Sequence, residues 1–341
     1  MTHEALRVAV IGYGWWGKKI VATLQASSRI KVGMVVEQDP EIRNAAKTLG
    51  DQLGFAVSGS IEDAISDKNI EAVILCTPHK SHSSQIAQAA KAGKHVFCEK
   101  PLSLTYDEAL FAVKACESAN VLLGIGHERR FESAIIDLRR RIANGELGKI
   151  LQIEANWSQD LFFKLPPDNW RLSKEAAPCG PLSATGIHLV DLAISILGPA
   201  EFTLARLNTL ASSFSNGDTL AIMLGFPGGQ TALISAILAT PFDGRFAVYG
   251  SKGWAEVRDR THSENSTGWD ITYVTSGVEG KATHFAPPHE PVLDNLEAFA
   301  NGIRGIAQYP VTTREMLANV AALEAIMKSA ESHQIEKIAI E

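Results

Sequence analysis

The sequence GYGWWG at residues 12–17 has the glycine spacing of a loop that holds a dinucleotide. Gly12 permits a tight turn, Gly14 lets the backbone approach a pyrophosphate, and Gly17 allows a strand and a helix to pack closely. The amino end of the helix that follows attracts negative charge. With a strand before it and a helix after it, this loop predicts a dinucleotide-binding site.

An acid follows at the distance that such a site requires. Glu37 lies twenty residues beyond Gly17 and can accept hydrogen bonds from the ribose hydroxyls of adenosine. A 2'-phosphate would meet this carboxylate, and Gln38 adds no positive charge, so the sequence predicts NAD as the cofactor, with NADP less favoured. Trp15 and Trp16 are expected to form a packing wall beside the loop rather than to take part in the chemistry.

Polar turns follow two of the apolar runs. Thr77-Pro78 comes after AVILC, and Glu99-Lys100-Pro101 comes after HVFC. Because ligands lie outside the carboxyl ends of the strands in an open parallel sheet, we expect both turns at the nicotinamide end of the cofactor. Lys100 can there hydrogen-bond the cofactor carboxamide or a substrate hydroxyl, and its charge favours loss of the hydroxyl proton during hydride removal. Pro101 fixes the turn, and a cis bond before it is compatible with the sequence.

The elements that must position these residues alternate along the first 126 residues. Short runs rich in valine, isoleucine and leucine are typical of strands buried on both faces; they are LRVAVIGYG, KVGMVV, AVILC, HVFC and VLLGIG. Helical stretches separate them, and one opens with Thr105 and Glu108 in a capping-box pattern. The alternation predicts a doubly wound parallel sheet of the Rossmann type over residues 1–126.

Beyond the first domain the pattern changes to strand-like runs joined by turn signals such as Asn216-Gly217. Short connections favour hairpins, and hence a large, open and mainly antiparallel sheet. A final helix opens with a capping box at Thr312 and Glu315. We therefore predict an α+β domain for substrate binding and oligomerisation over residues 127–341, with last helices that can pack back on the first domain.

The composition limits the classes of function. The chain has 341 residues, 45% of them apolar, and a formal net charge of -6, which suits a two-domain globular protein and does not favour nucleic acid. No run approaches the ~18 apolar residues of a membrane span, and the first four residues do not resemble a secretory leader. The four scattered cysteines are interpreted as reduced thiols. We expect a cytoplasmic protein with no membrane or nucleic-acid partner. No cysteine or carboxylate set completes a site with His79 and His82 or with His284 and His289, so no metal centre is expected.

Several segments carry a resemblance to a known family: GYGWWG, ILCTPHKSH, AGKHVFCEKPLSL, GHERRF, GELGKI, NWRLS and GIHLVDL. Their order, over nearly the whole chain, is similar to that of the glucose-fructose oxidoreductase / inositol dehydrogenase / rhizopine-catabolism (Gfo/Idh/MocA) family. The E-K-P triplet after AGKHV is the most specific part. The resemblance implies NAD(P)-dependent oxidation or reduction of sugars, polyols or related cyclic compounds. It also implies a homodimer or homotetramer built on the C-terminal sheet.

The resemblance also implies roles for individual residues. Lys100 would be the lysine of the active site, and His188 would exchange a proton with the reacting hydroxyl or carbonyl, since an unperturbed imidazole titrates near neutrality. His82 would support the cofactor turn. Ala184 departs from the family pattern D-x-x-x-H, in which an acid lies four residues before the histidine. Asp191 follows His188 by three residues, and we do not assume that it replaces the missing acid.

A sugar pocket also needs aromatic and cationic side chains. Trp157 and Trp170 offer flat faces to C–H groups, and Arg171 offers donors to oxygens. Arg130 could reach a substrate, although an internal salt bridge is the commoner outcome for such an arginine. Together with His188, these residues form the predicted substrate site.

The predicted function is an NAD-dependent dehydrogenase or reductase acting on a secondary alcohol or ketone of a sugar, polyol or related cyclic substrate. Lys100 and His188 are expected to converge on one face of the nicotinamide ring. Two alternatives stay open. One is an NAD-assisted glycoside hydrolase that regenerates its cofactor in each cycle, and the other is a non-catalytic dinucleotide-sensing regulator, which the alanine at position 184 favours.

Overall fold

A computed structural model describes residues 4–340 of the chain, which forms two compact units. The first unit comprises the chain up to Glu128 together with Glu290–Met316. The second comprises Arg129–His289 together with the chain from Leu317 onward. The first three residues, on which the expectation about a secretory leader partly rests, lie outside the described residues.

The first unit is built on a six-stranded sheet in the order β3-β2-β1-β4-β5-β6. Its strands are β1 (Leu6–Ile11), β2 (Ile30–Val36), β3 (Ala56–Ser58), β4 (Ala72–Leu75), β5 (His95–Cys98) and β6 (Leu123–Ile125). Every neighbouring pair runs parallel. Nearly all side chains of β1, β4 and β5 are buried, as expected for strands covered on both faces. The prediction of a doubly wound parallel sheet is confirmed.

Helices follow the strands of this sheet. They are α1 (Trp15–Leu24), α2 (Pro40–Leu53), α3 (Ile61–Ser66), α4 (His82–Lys91), α5 (Tyr106–Ser118) and, late in the chain, α8 (Pro291–Ile303). Asp39 caps α2 by accepting from two backbone N–H groups, and Thr105 caps α5 by accepting from the N–H of Glu108 at 3.4 Å. Such caps satisfy donors that the first turn of a helix leaves open, so local sequence sets where these helices begin.

The strand order reverses between β1 and β4, which are neighbours in the middle of the sheet. In open sheets of this kind, ligands bind in the crevice outside the carboxyl ends of the strands at this reversal. Gly12 follows β1, Thr77 lies just beyond β4, and Glu99 follows β5. Because the three strands are parallel neighbours, the predicted cofactor residues lie at one edge of the sheet.

The second unit contains a nine-stranded sheet in the order β14-β13-β12-β11-β7-β10-β9-β8-β15. Its strands are β7 (Ile150–Ser158), β8 (Phe202–Asn208), β9 (Thr219–Gly225), β10 (Thr231–Ile237), β11 (Asp243–Gly250), β12 (Gly253–Asp259), β13 (Trp269–Thr275), β14 (Ala282–Ala286) and β15 (Glu336–Lys337). Strands β10 and β7 pair in parallel, and the other ladders within residues 4–340 are antiparallel. The predicted large, mainly antiparallel sheet is confirmed.

Three helices accompany this sheet: α6 (Ser133–Ala143), α7 (Ile187–Leu197) and α9 (Thr313–Ser332). A π-helical turn over Leu182–Gly186 leads directly into α7. At the start of α9, the N–H of Thr312 donates to Oε2 of Glu315 at 2.9 Å and the N–H of Glu315 donates to Oγ1 of Thr312 at 3.2 Å, so the predicted capping box is present. No helix in the described part of the chain is long and apolar enough to cross a membrane.

Candidate active site

The backbone after β1 requires glycine at two of the three predicted positions. Gly12 has φ +92°, and a Cβ there would lie 2.8 Å from the carbonyl oxygen of Cys76. A Cβ on Gly17 would lie 1.9 Å from the carbonyl oxygen of Gly12, so the strand and helix pack too closely for any side chain.

The third glycine faces open space. Apart from its chain neighbours, no described atom would lie within 4 Å of a Cβ on Gly14. Gly14 is also the N-cap of α1, and no side chain caps that helix end. An open backbone at an uncapped helix amino end fits the pyrophosphate of a dinucleotide. Trp15 is 54% exposed and its ring lies 5.4 Å from that of Trp16, so a large apolar surface is available beside the loop.

The carboxylate of Glu37 contacts this loop. The N–H of Tyr13 donates to Oε2 of Glu37 at 2.7 Å, and the N–H of Asp39 donates to Oε1 at 3.0 Å. A carboxylate oxygen has two acceptor positions, so each can accept one further hydrogen bond from a ribose hydroxyl. Glu37 therefore joins the predicted pyrophosphate loop to the predicted ribose position.

His82 links the turns that follow β4 and β5. Its ring is fully buried, with Nε2 2.9 Å from the carbonyl oxygen of Thr77 and Nδ1 2.7 Å from that of Pro101. Two acceptors favour an imidazolium, which has two N–H donors, whereas burial lowers the pKa of His82. The ring can donate to at least one carbonyl in either state, so it holds the two turns together. The Lys100–Pro101 peptide is cis.

Glu99 places a buried carboxyl next to Lys100. Burial raises the pKa of Glu99 to about 8, and the nearby carboxylate of Glu128 adds to the increase. A Cβ on Gly126 would lie 2.5 Å from Oε2 of Glu99, so the glycine leaves room for this group. The raised pKa favours the protonated carboxyl of Glu99 at neutral pH, next to Lys100, which is half-buried.

In the second unit, His188 is the second residue of α7 and is 3% exposed. Its ring centroid lies 5.4 Å from that of Trp157, with the rings tilted by 39°. Trp157 is also buried, near the end of β7. The structure thus brings together the predicted proton-exchanging histidine and one of the predicted pocket tryptophans.

Arg130 forms a buried ion pair with Asp191. Its Nε and Nη2 each lie 2.7 Å from a different carboxylate oxygen of Asp191, and both side chains are 2% exposed. This bidentate geometry is strong and specific. Asp191 lies one turn after His188 on α7, so the pair also anchors the helix that carries His188. A contact of Arg130 with substrate stays a prediction.

Trp170 and Arg171 form a pair of their own at the start of a 3-10 turn. The guanidinium of Arg171 lies 4.5 Å from the Trp170 ring centroid, within the range of a cation–π interaction. The carbonyl of Arg171 accepts a hydrogen bond from the amide of Asn216 at 2.7 Å. These contacts fix the turn, and a role in substrate binding stays a prediction for both residues.

Sequence reasoning missed a second histidine near Trp157. The ring centroid of His262 lies 6.1 Å from that of Trp157, and its Nε2 lies 2.7 Å from Oε1 of Gln159. His262 belongs to the connection between β12 and β13, and it reaches Trp157 only because strands distant in sequence pair in the sheet. No local motif could have identified it. Among residues 4–340, no group of three or more histidine, cysteine or acidic side chains is arranged to hold a metal ion.

Two family models match this chain. The model described as "Oxidoreductase family, NAD-binding Rossmann fold" matches residues 6–127. The model described as "GFO/IDH/MocA C-terminal domain" matches residues 135–256. The two matches cover one segment in each structural unit.

Similar proteins include two bacterial enzymes and one solved structure. The 2,7-anhydro-N-acetylneuraminate hydratase of Escherichia coli (strain K12) is 30% identical over 67% of this chain and 61% of its own length. The 1,5-anhydro-D-fructose reductase of Ensifer adhaerens is 28% identical over 87% of this chain and 88% of its own length. The aldose-aldose oxidoreductase of Caulobacter crescentus, solved with glycerol, superposes with a TM-score of 0.86 at 25% identity, over 98% of this chain and 99% of that one.

The chain therefore spans about three fifths of the hydratase, nearly nine tenths of the reductase and nearly all of the aldose-aldose oxidoreductase. The two matching family models agree with the observed fold and with the glycine loop at the sheet reversal. The chain belongs to the GFO/IDH/MocA family of oxidoreductases, with an NAD-binding Rossmann domain followed by the family's C-terminal domain.

Proposed function

We propose that this protein is an NAD-dependent dehydrogenase or reductase that transfers a hydride between nicotinamide and a secondary alcohol or ketone of a sugar, polyol or related cyclic substrate. The observation that carries the proposal is the shared edge of three parallel strands, where the glycine loop follows β1 and the two polar turns follow β4 and β5. The choice of a sugar or polyol is supported by the relatives named for anhydrofructose and aldoses.

The cofactor residues of this proposal belong to the first unit. Gly12, Gly14 and Gly17, with Trp15 and Trp16 beside them, would hold the pyrophosphate, and the carboxylate of Glu37 would accept the ribose hydroxyls. Thr77-Pro78, His82 and Glu99-Lys100-Pro101 would border the nicotinamide end. When bound, NAD supplies the hydride acceptor. The carboxylate of Glu37 repels a 2'-phosphate, which supports a preference for NAD over NADP.

Lys100 and His188 would handle the hydroxyl group that reacts. As hydride leaves the carbinol carbon, the O–H bond must also break, and His188 would accept that proton. The ammonium of Lys100 would stabilise the negative charge that develops on the oxygen. In the reducing direction, His188 returns the proton to the new alkoxide. Lys100 and His188 therefore act as a charge stabiliser and a proton carrier.

The substrate residues of this proposal belong to the second unit. Trp157 and Trp170 would contact the C–H faces of the sugar, while Arg171 and Arg130 would supply donors to its oxygens. The position of Trp157 against His188 supports this assignment.

We also propose a homodimer or homotetramer in the cytoplasm. The resemblance to the family supports assembly through the large sheet, and light scattering tests it.

The test is turnover of a sugar and polyol panel, followed by the absorbance of reduced nicotinamide. We expect Lys100→Ala and His188→Ala each to lower kcat by roughly a hundredfold or more, the usual effect of losing an acid–base group. His284→Ala removes an exposed imidazole and serves as the matched control. Retained NADH binding and an unchanged circular dichroism spectrum would show that the variants fold. Near-normal kcat in both variants would refute the assignment.

A second candidate is a redox-neutral reaction in which the cofactor is regenerated in each cycle, such as NAD-assisted glycoside cleavage. The relative named as a hydratase supports it, because hydration causes no net oxidation or reduction. Release of product without accumulation of NADH would select this candidate. Tight NAD binding with no turnover of any substrate would instead select the dinucleotide-sensing regulator.

A further inference from the structure

A long connection in the second unit carries two of the predicted substrate residues. Residues 159–181 join β7 to the π-helical turn before α7, and Trp170 and Arg171 lie near the middle of this connection. Ordered connections of this length are uncommon in compact domains and are often binding loops. The contacts that order residues 159–181 therefore bear on substrate binding.

Three residues between β8 and β9 hold this connection, and we call them the clamp: Phe214, Ser215 and Asn216. The ring centroid of Phe214 lies 5.2 Å from that of Phe163. Oγ of Ser215 donates to the carbonyl of Leu172 at 2.9 Å and accepts from the N–H of Lys174 at 3.1 Å. Two consecutive residues of the clamp thus contact separate parts of the connection.

Asn216 is the most buried member of the clamp, with 2% exposure. Its Nδ2 donates to the carbonyl of Arg171 at 2.7 Å and to that of Ala177 at 2.9 Å. Its own carbonyl accepts from the N–H of Gly180 at 2.7 Å. A Cβ on Gly180 would lie 2.9 Å from Cγ, Nδ2 and Oδ1 of Asn216, so the amide packs against this glycine. One buried residue therefore fixes the backbone at three points, and one of these points is Arg171.

The clamp follows a turn that is itself ordered by Asp218. This residue is fully buried, and its carboxylate accepts from three backbone N–H groups at 2.8–3.1 Å, those of Leu210, Ala211 and Ser212. Burial raises the pKa of Asp218, but the hydrogen bonds from the N–H groups of Leu210 and Ala211 outweigh it and lower that pKa to about 2. The carboxylate therefore stays ionised at neutral pH and supports the clamp.

Resting on the proposed function, we propose that the clamp is a set of positioning residues that orders Trp170 and Arg171 before the sugar binds. The clamp acts through the backbone, because the side chains of Ser215 and Asn216 contact main-chain atoms of the connection. Ordering a loop during binding costs free energy, and a loop that is ordered in advance avoids this cost. Loss of the clamp should therefore weaken sugar binding more than it slows the chemical step.

Limited digestion with trypsin tests the ordering without any substrate. Trypsin cleaves after Arg171 and Lys174, which both lie in the part of the connection that the clamp holds. Proteolysis follows the population of locally open molecules, so Asn216→Ala should speed cleavage at these sites by roughly tenfold, which corresponds to about 1.4 kcal/mol. Cleavage after Lys281, which is exposed between β13 and β14, should keep its rate. Unchanged cleavage after Arg171 and Lys174 would overturn the inference.

Ser215→Ala provides a second variant with a matched control in Ser329→Ala. Ser215 is exposed, so its replacement keeps the test available should Asn216→Ala fail to fold. Oγ of Ser329 likewise donates to one carbonyl, that of Gln334, at 2.6 Å and accepts from one N–H, that of Ala205, at 2.9 Å. These contacts involve α9, β8 and the segment after α9. Ser329→Ala should therefore lower the melting temperature without changing the cleavage of residues 159–181.

Kinetics at saturating cofactor test the role in substrate binding, with the member of the sugar and polyol panel that has the highest kcat/KM as the probe. We expect KM to rise roughly tenfold in Asn216→Ala and roughly threefold in Ser215→Ala, with kcat within about twofold of wild type. An unchanged KM in both clamp variants, or an equal rise in Ser329→Ala, would overturn the inference and leave the proposed function in place. Failure of the wild-type protein to turn over any member of the panel, with NADH binding intact, would overturn the proposed function and the inference with it.

Discussion

The buried pair of Arg130 and Asp191 allows a quantitative test of the second unit. Asp191→Ala removes a carboxylate that receives two hydrogen bonds of 2.7 Å from a guanidinium that is 2% exposed. The variant leaves a buried charge without this partner, which typically costs about 3–5 kcal/mol. Because domains are stable by only about 5–15 kcal/mol, the loss is a large fraction of the total.

Urea unfolding followed by tryptophan fluorescence measures this loss. With an m-value of about 2 kcal/mol per molar urea, the midpoint of the transition should fall by roughly 1.5–2.5 M. A double variant, Arg130→Met with Asp191→Leu, replaces the pair by apolar groups and should be more stable than Asp191→Ala alone, because no buried charge remains. The difference between the variants separates the cost of a buried cation that has lost the Asp191 carboxylate from the cost of losing the pair as a whole.

The chain offers a matched control in Arg260 and Asp270. This pair also joins Nε and Nη2 of the arginine to the carboxylate, with contacts of 3.0 Å and 2.6 Å to Asp270, but both side chains are more than one third exposed. Solvent screens exposed pairs, so Asp270→Ala should shift the midpoint far less than Asp191→Ala. Equal shifts in the two variants would refute the reasoning, because burial would then not determine the cost.

Three further predictions concern the first unit. The pKa of Glu99 in the folded protein is raised to about 8 from 4.5, so the stability that its protonated carboxyl contributes is complete below about pH 4.5 and is lost as the pH rises through 8. Glutamine does not ionise, so the urea midpoint of Glu99→Gln should rise relative to that of the wild type over this range. Parallel pH profiles of the two midpoints would contradict the assignment. Gly14→Ala should fold normally, because its Cβ meets open space, yet bind NADH at least roughly tenfold more weakly, whereas Gly17→Ala should lower the melting temperature. Calorimetry measures both effects. Unchanged NADH binding in Gly14→Ala would exclude the assignment of this loop to the pyrophosphate. His82→Leu removes the ring that donates to at least one of the carbonyls of Thr77 and Pro101 and should cost about 1–3 kcal/mol; unchanged thermal unfolding would show that the ring does not hold the turns.

Local rules account for what the sequence predicted about the first unit. The glycine loop, the capping residues and the acid at the end of β2 depend on backbone conformation and on short spacings, so they can be recognised without knowledge of the fold. Gly12 illustrates this, because its positive φ and its close approach to Cys76 follow from a tight turn between a strand and a helix. Alternating strands and helices then imply a parallel sheet, whose carboxyl edge collects the polar turns.

Contacts between distant segments could not be predicted in this way. The sequence indicated hairpins in the second half, but β7 lies between β11 and β10 and pairs in parallel with the latter, a neighbour from much later in the chain. The same long-range pairing places His262 near Trp157.

The sequence by itself determined the fold class and the identities of the groups available for chemistry, because strand, helix, turn and cap preferences act over a few residues. Only the tertiary structure decided what each group meets. It paired Arg130 with Asp191, and it buried Glu99, which raises the pKa of that carboxyl. Burial and long-range contact set the charge and the partners of a side chain, and neither is encoded in its immediate neighbours.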